Sequence, residues 1–261
     1  MTAIARDVAR HRELLYILVW REITVKYKQS VMGVLWAILM PALIVTAGIV
    51  IRYAFASVAG RQLDATHVAN VSVKAVPWAF VVSSLRFATQ SLVTNRDLVT
   101  KIYLPREMFP IASVTSQLVD FAIASSLLVV VLALAHVRLS VELLWVPVLV
   151  LVLVLLCIGL ALFLSAASLF FRDVKYLVEA VITFAIFFTP VFYDVTIFGR
   201  WADVLMLNPV APILEGLSAA VVYHQPPPIG WVAYSAGVSA VVLWLSGTFF
   251  RKLDPYFAES I

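Results

Sequence analysis

The chain has 261 residues, 63% of them hydrophobic and only 13% charged, with a formal net charge of +4. Ordinary soluble domains carry about 25% charged residues; with a mean hydropathy of +1.00, the composition excludes a large water-soluble domain. The basic residues lie beside apolar spans and form no solvated patch, which argues against nucleic acid as a partner.

Residues 1–31 are basic and aromatic, and are read as a cytoplasmic, interfacial amphipathic helix. Tyr16, Trp20, Ile23 and Tyr27 recur at helical spacing on one side, with Leu14, Leu18 and Val25 on the other. Arg21, Glu22, Lys26 and Lys28 lie between, which suits a helix in the membrane interface with snorkelling cations. A charged segment and apolar run this long exceed the signal-peptide pattern, so the N-terminus is expected to be retained. Only Gly33 interrupts the passage into the first apolar run.

Six segments are long and apolar enough to cross a hydrocarbon core of about 30 Å as helices. They are predicted at 32–56, 75–94, 110–135, 143–169, 174–193 and 229–250. The single cysteine, Cys157, sits inside LVLVLLCIGLALFL, where it reads as buried packing. With both termini in the cytoplasm, thirteen Lys and Arg residues fall on the cytoplasmic side and five on the other, with Arg86 inside a span. That is the positive-inside bias.

Two connections stand out. NRDLVTKIYLPREMF (95–109) is short, charged and partly apolar. Residues 194–228 are too apolar for an open loop and are cut by Gly199, Pro209 and Pro212. They are read as an outer re-entrant helical hairpin with its turn near Asn208-Pro209. Arg86 and Asp120 are the clear ionisable residues inside the predicted spans, each eight residues from a cytoplasmic end. At 1.5 Å per residue both lie about 12 Å deep, and they are expected to form an intramembrane ion pair, since an unpaired charge there is costly.

LVWREITVKYKQSVMGVLWAILMPAL, NRDLVTKIYLPREMFP, FFRDVKYLVEAVITFAIFFTPVFYD, LNPVAPILEGL and FRKLDPYFAESI occur in this order along the whole chain. They resemble the membrane subunits of polysaccharide-exporting ABC transporters, the type-2 ABC permeases that move O-antigen, teichoic acid or capsule chains. The resemblance implies an all-α integral membrane protein of one transmembrane domain (1–261). It also implies a homodimer of six-span subunits with two copies of an ATPase subunit beneath. The substrate would be a lipid-linked polysaccharide, O-antigen favoured, crossing the bacterial inner membrane. Asn95, Arg96, Asp97, Leu98, Lys101 and Ile102 would form a coupling helix on the ATPase. Tyr27, Trp36, Tyr53, Phe184, Phe187, Phe188, Phe192 and Tyr193 would line the channel, where aromatic faces can stack on sugars without fixed hydrogen bonds. Asn208, Pro209 and Pro212 would form an outer gate.

The residues agree with a subunit that does not hydrolyse ATP. None of the nine glycines is followed by Lys, so there is no GxxxxGK[ST] phosphate loop. ATP and Mg would belong to the partner, with no cofactor or metal on this chain. His11, His67, His136 and His224 are scattered without metal-ligand spacing. A small-molecule or drug exporter of the same permease class is the main alternative, because fold does not fix substrate. A secondary transporter would use Arg86 or Asp120 as an ion site, and a membrane glycan enzyme would need a catalytic cluster that the sequence does not display.

Overall fold

The computed structural model describes residues 9–28, 32–33, 35–58, 65–101, 104–134 and 140–257. Among these the chain is helical throughout, with no strand. The helices are α1 (Arg12–Lys28), α2 (Leu35–Val58), α3 (Ala65–Thr94), α4 (Arg96–Lys101), α5 (Met108–Leu134), α6 (Trp145–Phe170) and α7 (Val174–Phe188). They continue with α8 (Ala202–Met206), α9 (Val210–Val221) and α10 (Ile229–Leu253). Gly33 adopts φ +48° between α1 and α2, a left-handed conformation that a residue without Cβ adopts at little cost.

Four helices are long and apolar enough to cross a membrane: Thr66–Thr94, Met108–Val130, Val141–Phe170 and Ile229–Tyr256. The protein is therefore a multi-pass membrane protein. Two predicted spans, the second and the fifth, differ from expectation. The first, predicted at 32–56, is covered by α2 from Leu35 to Val58. The fifth ends at Phe188 and not at 193, because Thr189 precedes Pro190 and takes an extended conformation (φ −117°, ψ 132°); proline disfavours the helical region in the residue before it. Fifteen residues span about 22 Å.

The second span is corrected in the other direction. Helix α3 begins at Ala65, ten residues before the predicted start at 75. ATHVANVSVK is too polar to register as a membrane segment, yet Asn70, Ser72 and Lys74 are buried. It stays helical because those polar groups face protein. Within α3, Ser72, Thr89 and Ser91 return their hydroxyls to the carbonyls of Val68, Leu85 and Ala88, which satisfies them without water.

Helix α3 is the axis of the bundle, packed by α5, α6 and α9. Its Ala75, Trp78 and Phe80 share the main core with Leu149, Leu153 and Leu156 of α6 and Ile213, Leu214 and Leu217 of α9. A second core closes the end where α1 lies. There Leu18, Val99 of α4, Met108 and Phe109 of α5, Leu162 of α6, and Phe250 of α10 meet Phe257. Phe257 has no exposed surface and its ring packs edge-on to Phe250 at 5.0 Å. Arg106 reaches Asp254 at 3.1 Å and Arg251 reaches Glu107 at 3.5 Å, so the segment after α10 is clamped to the start of α5.

Helices α6 and α10 approach closely at Gly159. A Cβ there would lie 2.9 Å from the backbone nitrogen of Leu243, and that nitrogen cannot swing aside as a side chain would. Gly159→Ala is expected to force the two helices apart and destabilise the fold by about 1–3 kcal/mol. Gly237→Ala on α10, where nothing lies within 4 Å, is the control. The check is the thermal unfolding midpoint of detergent-solubilised protein, which should fall for the first variant and hold or rise for the second.

Candidate functional site

The richest set of polar side chains surrounds a cleft between α1, α3, α5 and α7. Helix α1 turns Leu18 into the core and leaves Tyr16 and Trp20 exposed, stacked at 6.4 Å. Of the charges between these two faces, Lys28 is exposed, whereas Arg21, Glu22 and Lys26 are engaged by protein groups. The Glu22 carboxylate accepts hydrogen bonds from Ser113 at 2.7 Å and Ser116 at 2.8 Å. Lys26 donates to Gln117 at 3.1 Å and pairs with Asp120, and the Tyr27 hydroxyl donates to Asp120 as well. Arg21 donates to Asn95. Ser113, Ser116, Gln117 and Asp120 are spaced to lie on one face of α5, so that face holds α1 along most of its second half. Burial pushes the Glu22 carboxyl above its usual range, opposed by the two serine hydroxyls and then by Arg21 and Lys26. Burial, and then Asp120, pushes the Tyr27 phenol up.

Across the cleft, Arg86 of α3 donates Nε to Glu179 Oε1 at 2.6 Å and Nη2 to Oε2 at 2.8 Å, a bidentate pair with α7. Two adjoining cavities fill the space between. One of about 500 Å³ is lined by Arg21, Glu22, Lys26, Gln90 and Glu179, and one of about 250 Å³ by Trp36, Met40 and Asp120. Lys26, Arg86, Phe87 and Gln117 line both. The expected Arg86–Asp120 pair is therefore corrected. Both residues line the smaller cavity, but Asp120 is taken by α1 and Arg86 by α7. The sequence reading paired the two span charges with each other and passed over two sources of better partners: Lys26 delivered by a helix outside the spans, and Glu179, six residues into the predicted fifth span.

A second polar network lies at the opposite end of α3. Lys74, with no exposed side-chain surface, sits 2.8 Å from Glu215 and 3.2 Å from Asp194, and donates to the Tyr193 carbonyl at 3.3 Å. One turn earlier Asn70 donates to Asp194 at 2.6 Å and to Tyr223 at 3.0 Å, and accepts from Ser218 at 2.6 Å. This network binds residues 193–223 to α3. Lys74 had been counted only as an outer-side charge; a lysine and an asparagine four apart were its available signal.

The other predicted site residues fall in several places. Trp36 lines the smaller cavity and Tyr27 anchors Asp120. Tyr53, Phe184, Phe187 and Phe188 are exposed and line no cavity described here. Phe192 packs on Gly48, where a Cβ would come within 2.7 Å of its ring. Tyr193 donates to the Phe187 carbonyl at 2.9 Å and meets the Phe198 ring edge-on at 5.1 Å. Asn208 donates to Thr189 at 2.9 Å and accepts from the Val210 amide at 3.1 Å. The Pro209 carbonyl accepts from Ser235, and Pro212 is buried in α9. Asn95 carbonyl caps the amides of Leu98 and Val99, and Arg96, Asp97, Leu98 and Lys101 belong to α4. Ile102 lies outside the described residues.

Residues 13–222 match the ABC-2 type transporter family. Over 265 aligned residues, covering 100% of both chains, the sequence is 29% identical to an O-antigen export system permease protein RfbA from Myxococcus xanthus. Two proteins of the same description from Klebsiella pneumoniae are each 24% identical, one over 95% of this chain and 94% of its own, the other over 77% of each.

The two ion-pair systems differ in burial, and so in expected energy. Lys74→Met leaves the Asp194 and Glu215 carboxylates close together without their shared cation and is expected to cost about 3 kcal/mol, with partial recovery when Glu215→Gln is added. Arg86 and Glu179 are each 42% exposed, so solvent screening reduces their coupling to about 1 kcal/mol. Arg86→Glu and Glu179→Arg should each lower the thermal midpoint, and the double exchange should recover most of the loss. A double variant no better than the worse single one would show that the pair is not coupled.

Proposed function

We propose that this chain, which belongs to the ABC-2 type transporter family, is the channel-forming permease subunit of an ATP-driven exporter that moves a lipid-linked polysaccharide, O-antigen favoured, across the bacterial inner membrane. The observation that carries the substrate is the end-to-end alignment with the O-antigen permease of M. xanthus. Because both chains are covered completely, the likeness includes the interfacial helix, the 95–109 connection, the outer segment and the C-terminal end.

The six-span arrangement with both termini in the cytoplasm is part of this reading, with α2 and α7 completing the set. It is supported by the lysine and arginine bias. In that orientation α4 lies beneath the bundle as the coupling helix, and residues 194–223 lie at the outer leaflet as the re-entrant gate. Helices α2 and α7 would form the homodimer and channel surface. Their large exposed residues are apolar or aromatic: Trp36, Met40, Leu43, Val50 and Tyr53 on α2, and Tyr176, Leu177, Val181, Phe184, Phe187 and Phe188 on α7. Two ATPase subunits would supply ATP and Mg chemistry, consistent with the absence of a phosphate loop in this sequence.

Force would enter at α4. Val99 is 2% exposed and belongs to the core shared with α1, α5, α6 and α10, and Asn95 next to α4 is held by Arg21 of α1. A push on α4 therefore reaches α1 and α5 through packed contacts, and the Arg86–Glu179 pair carries it from α3 to α7.

Deleting the chain in its native host should abolish surface polysaccharide and leave lipid-linked polymer on the cytoplasmic side, measured by surface labelling and by extraction of the lipid fraction. Normal surface polysaccharide with increased sensitivity to small toxic compounds would favour a drug exporter. For coupling, Arg96→Glu with Lys101→Glu should leave membrane insertion and basal ATP hydrolysis intact while export falls to background. Full export by that variant would remove α4 from the force path.

A further inference from the structure

Three cations converge on a cavity beside the coupling helix, for which the transport reading names no occupant. Arg96 at the start of α4, Arg172 in the turn between α6 and α7, and Lys175 in the first turn of α7 line a cavity of about 270 Å³ with Gln90, Val93 and Leu169. No carboxylate lines it. Arg96 and Arg172 are exposed and Lys175 is half-buried. Among the described ion pairs none includes these three groups; Lys175 has only the ring of Tyr176, 4.7 Å away. The acidic neighbours in sequence, Asp97 and Asp173, are exposed outside the cavity, and Glu179 one turn further along α7 is engaged by Arg86.

The cavity sits where helices leave the hydrocarbon. The α3 span ends at Thr94 and the α6 span at Phe170, so Gln90 and Leu169 lie within about one turn of those ends. Arg96, Arg172 and Lys175 lie just beyond, at the height of the phosphate layer. Like-charged groups gathered without counter-charges repel one another, which an anion shared between them would relieve. Basic pockets between spans on the cytoplasmic side suit anionic lipid headgroups. Val93 and Leu169 would meet the first carbons of an acyl chain, which a soluble ion lacks.

We infer that this cavity binds the phosphate of an anionic phospholipid of the cytoplasmic leaflet, through Arg96, Arg172 and Lys175. The inference rests on the membrane orientation proposed above and not on the identity of the cargo. The bound lipid would bridge the coupling helix to the α6–α7 turn, so that α4 moves with the start of α7.

The test uses the full chain assembled with its ATPase in phosphatidylcholine vesicles holding trace spin-labelled phosphatidylglycerol or, separately, spin-labelled phosphatidylcholine. The protein-immobilised fraction should favour phosphatidylglycerol by about fivefold or more. Arg172→Gln with Lys175→Gln should bring the two lipids to parity, while Arg172→Lys and the control Lys252→Gln should retain the preference. Export assays are not needed, so a failed cargo assignment leaves this readout intact. An unchanged preference in the double variant would overturn the site. Displacement of the labelled lipid by inorganic phosphate would reassign it to a soluble anion. Protection of Lys175 from an amine-reactive reagent that depends on the ATPase and not on the anionic lipid would reassign it to the protein partner.

Discussion

A charge removed from water must find its partner in the protein, and Lys74 shows how far that requirement shapes this fold. Its ammonium group has no exposed surface and lies between Asp194, Glu215 and the Tyr193 carbonyl. To place it there, α3 extends ten residues beyond the stretch that composition alone would make a span, and residues 193–223 must return to meet it. The segment after α7 is held by this network together with the apolar face of α9, whose Ile213, Leu214 and Leu217 enter the main core; Val195, Met206 and Ala211 form a small core of their own beside it. Isolated breaks in that network would leave like charges facing one another. Polar networks of this kind are accordingly all-or-none devices.

The opposite end of α3 meets the same requirement differently. The charges in the cleft are partly exposed, and each is satisfied by a different helix: Asp120 by α1, Glu22 by α5, Arg86 by α7. Pairing across helices converts four separate elements into one mechanical unit while leaving two cavities between them. The two ends of the molecule thus combine a tightly locked 193–223 segment with a looser, partly exposed polar cleft.

Much of the architecture was legible because a membrane solvent leaves few choices. The apolar runs had to be helices, and their positions follow from length; the fourth and sixth agree with α6 and α10 to within three residues at each end. What was not legible was polar helix. ATHVANVSVK has no apolar periodicity to announce itself, and it is ordered by partners more than a hundred residues away, such as Asp194 and Ser218. The end of α7 had a readable signal in Thr189-Pro190, which hydropathy averages away. In the cleft, Arg86 and Asp120 line one cavity, as residues that neighbour one another across two helices. Their partners were not found, because counting charges within spans ignores those that arrive on α1. The aromatic residues divide for a similar reason: ring content is visible in sequence, whereas exposure of Phe184, Phe187 and Phe188 and burial against Gly48 for Phe192 depend on tertiary packing.

The early end of α7 has a consequence for the lipid around it. A helix of fifteen residues covers about 22 Å, short of a hydrocarbon thickness of about 30 Å. A bilayer meets such a shortfall by thinning locally, at a cost of fractions of a kcal/mol per ångström of mismatch. With α7 as the fifth span of the proposed arrangement, the two leaflets beside it would therefore draw together, and headgroups and water would descend toward Thr189 and Asn208. Under the function proposed above, the barrier to a hydrated polymer would then be lowered by elastic deformation of the membrane as well as by the protein wall, so the rate of passage should depend on the acyl-chain length of the surrounding lipids.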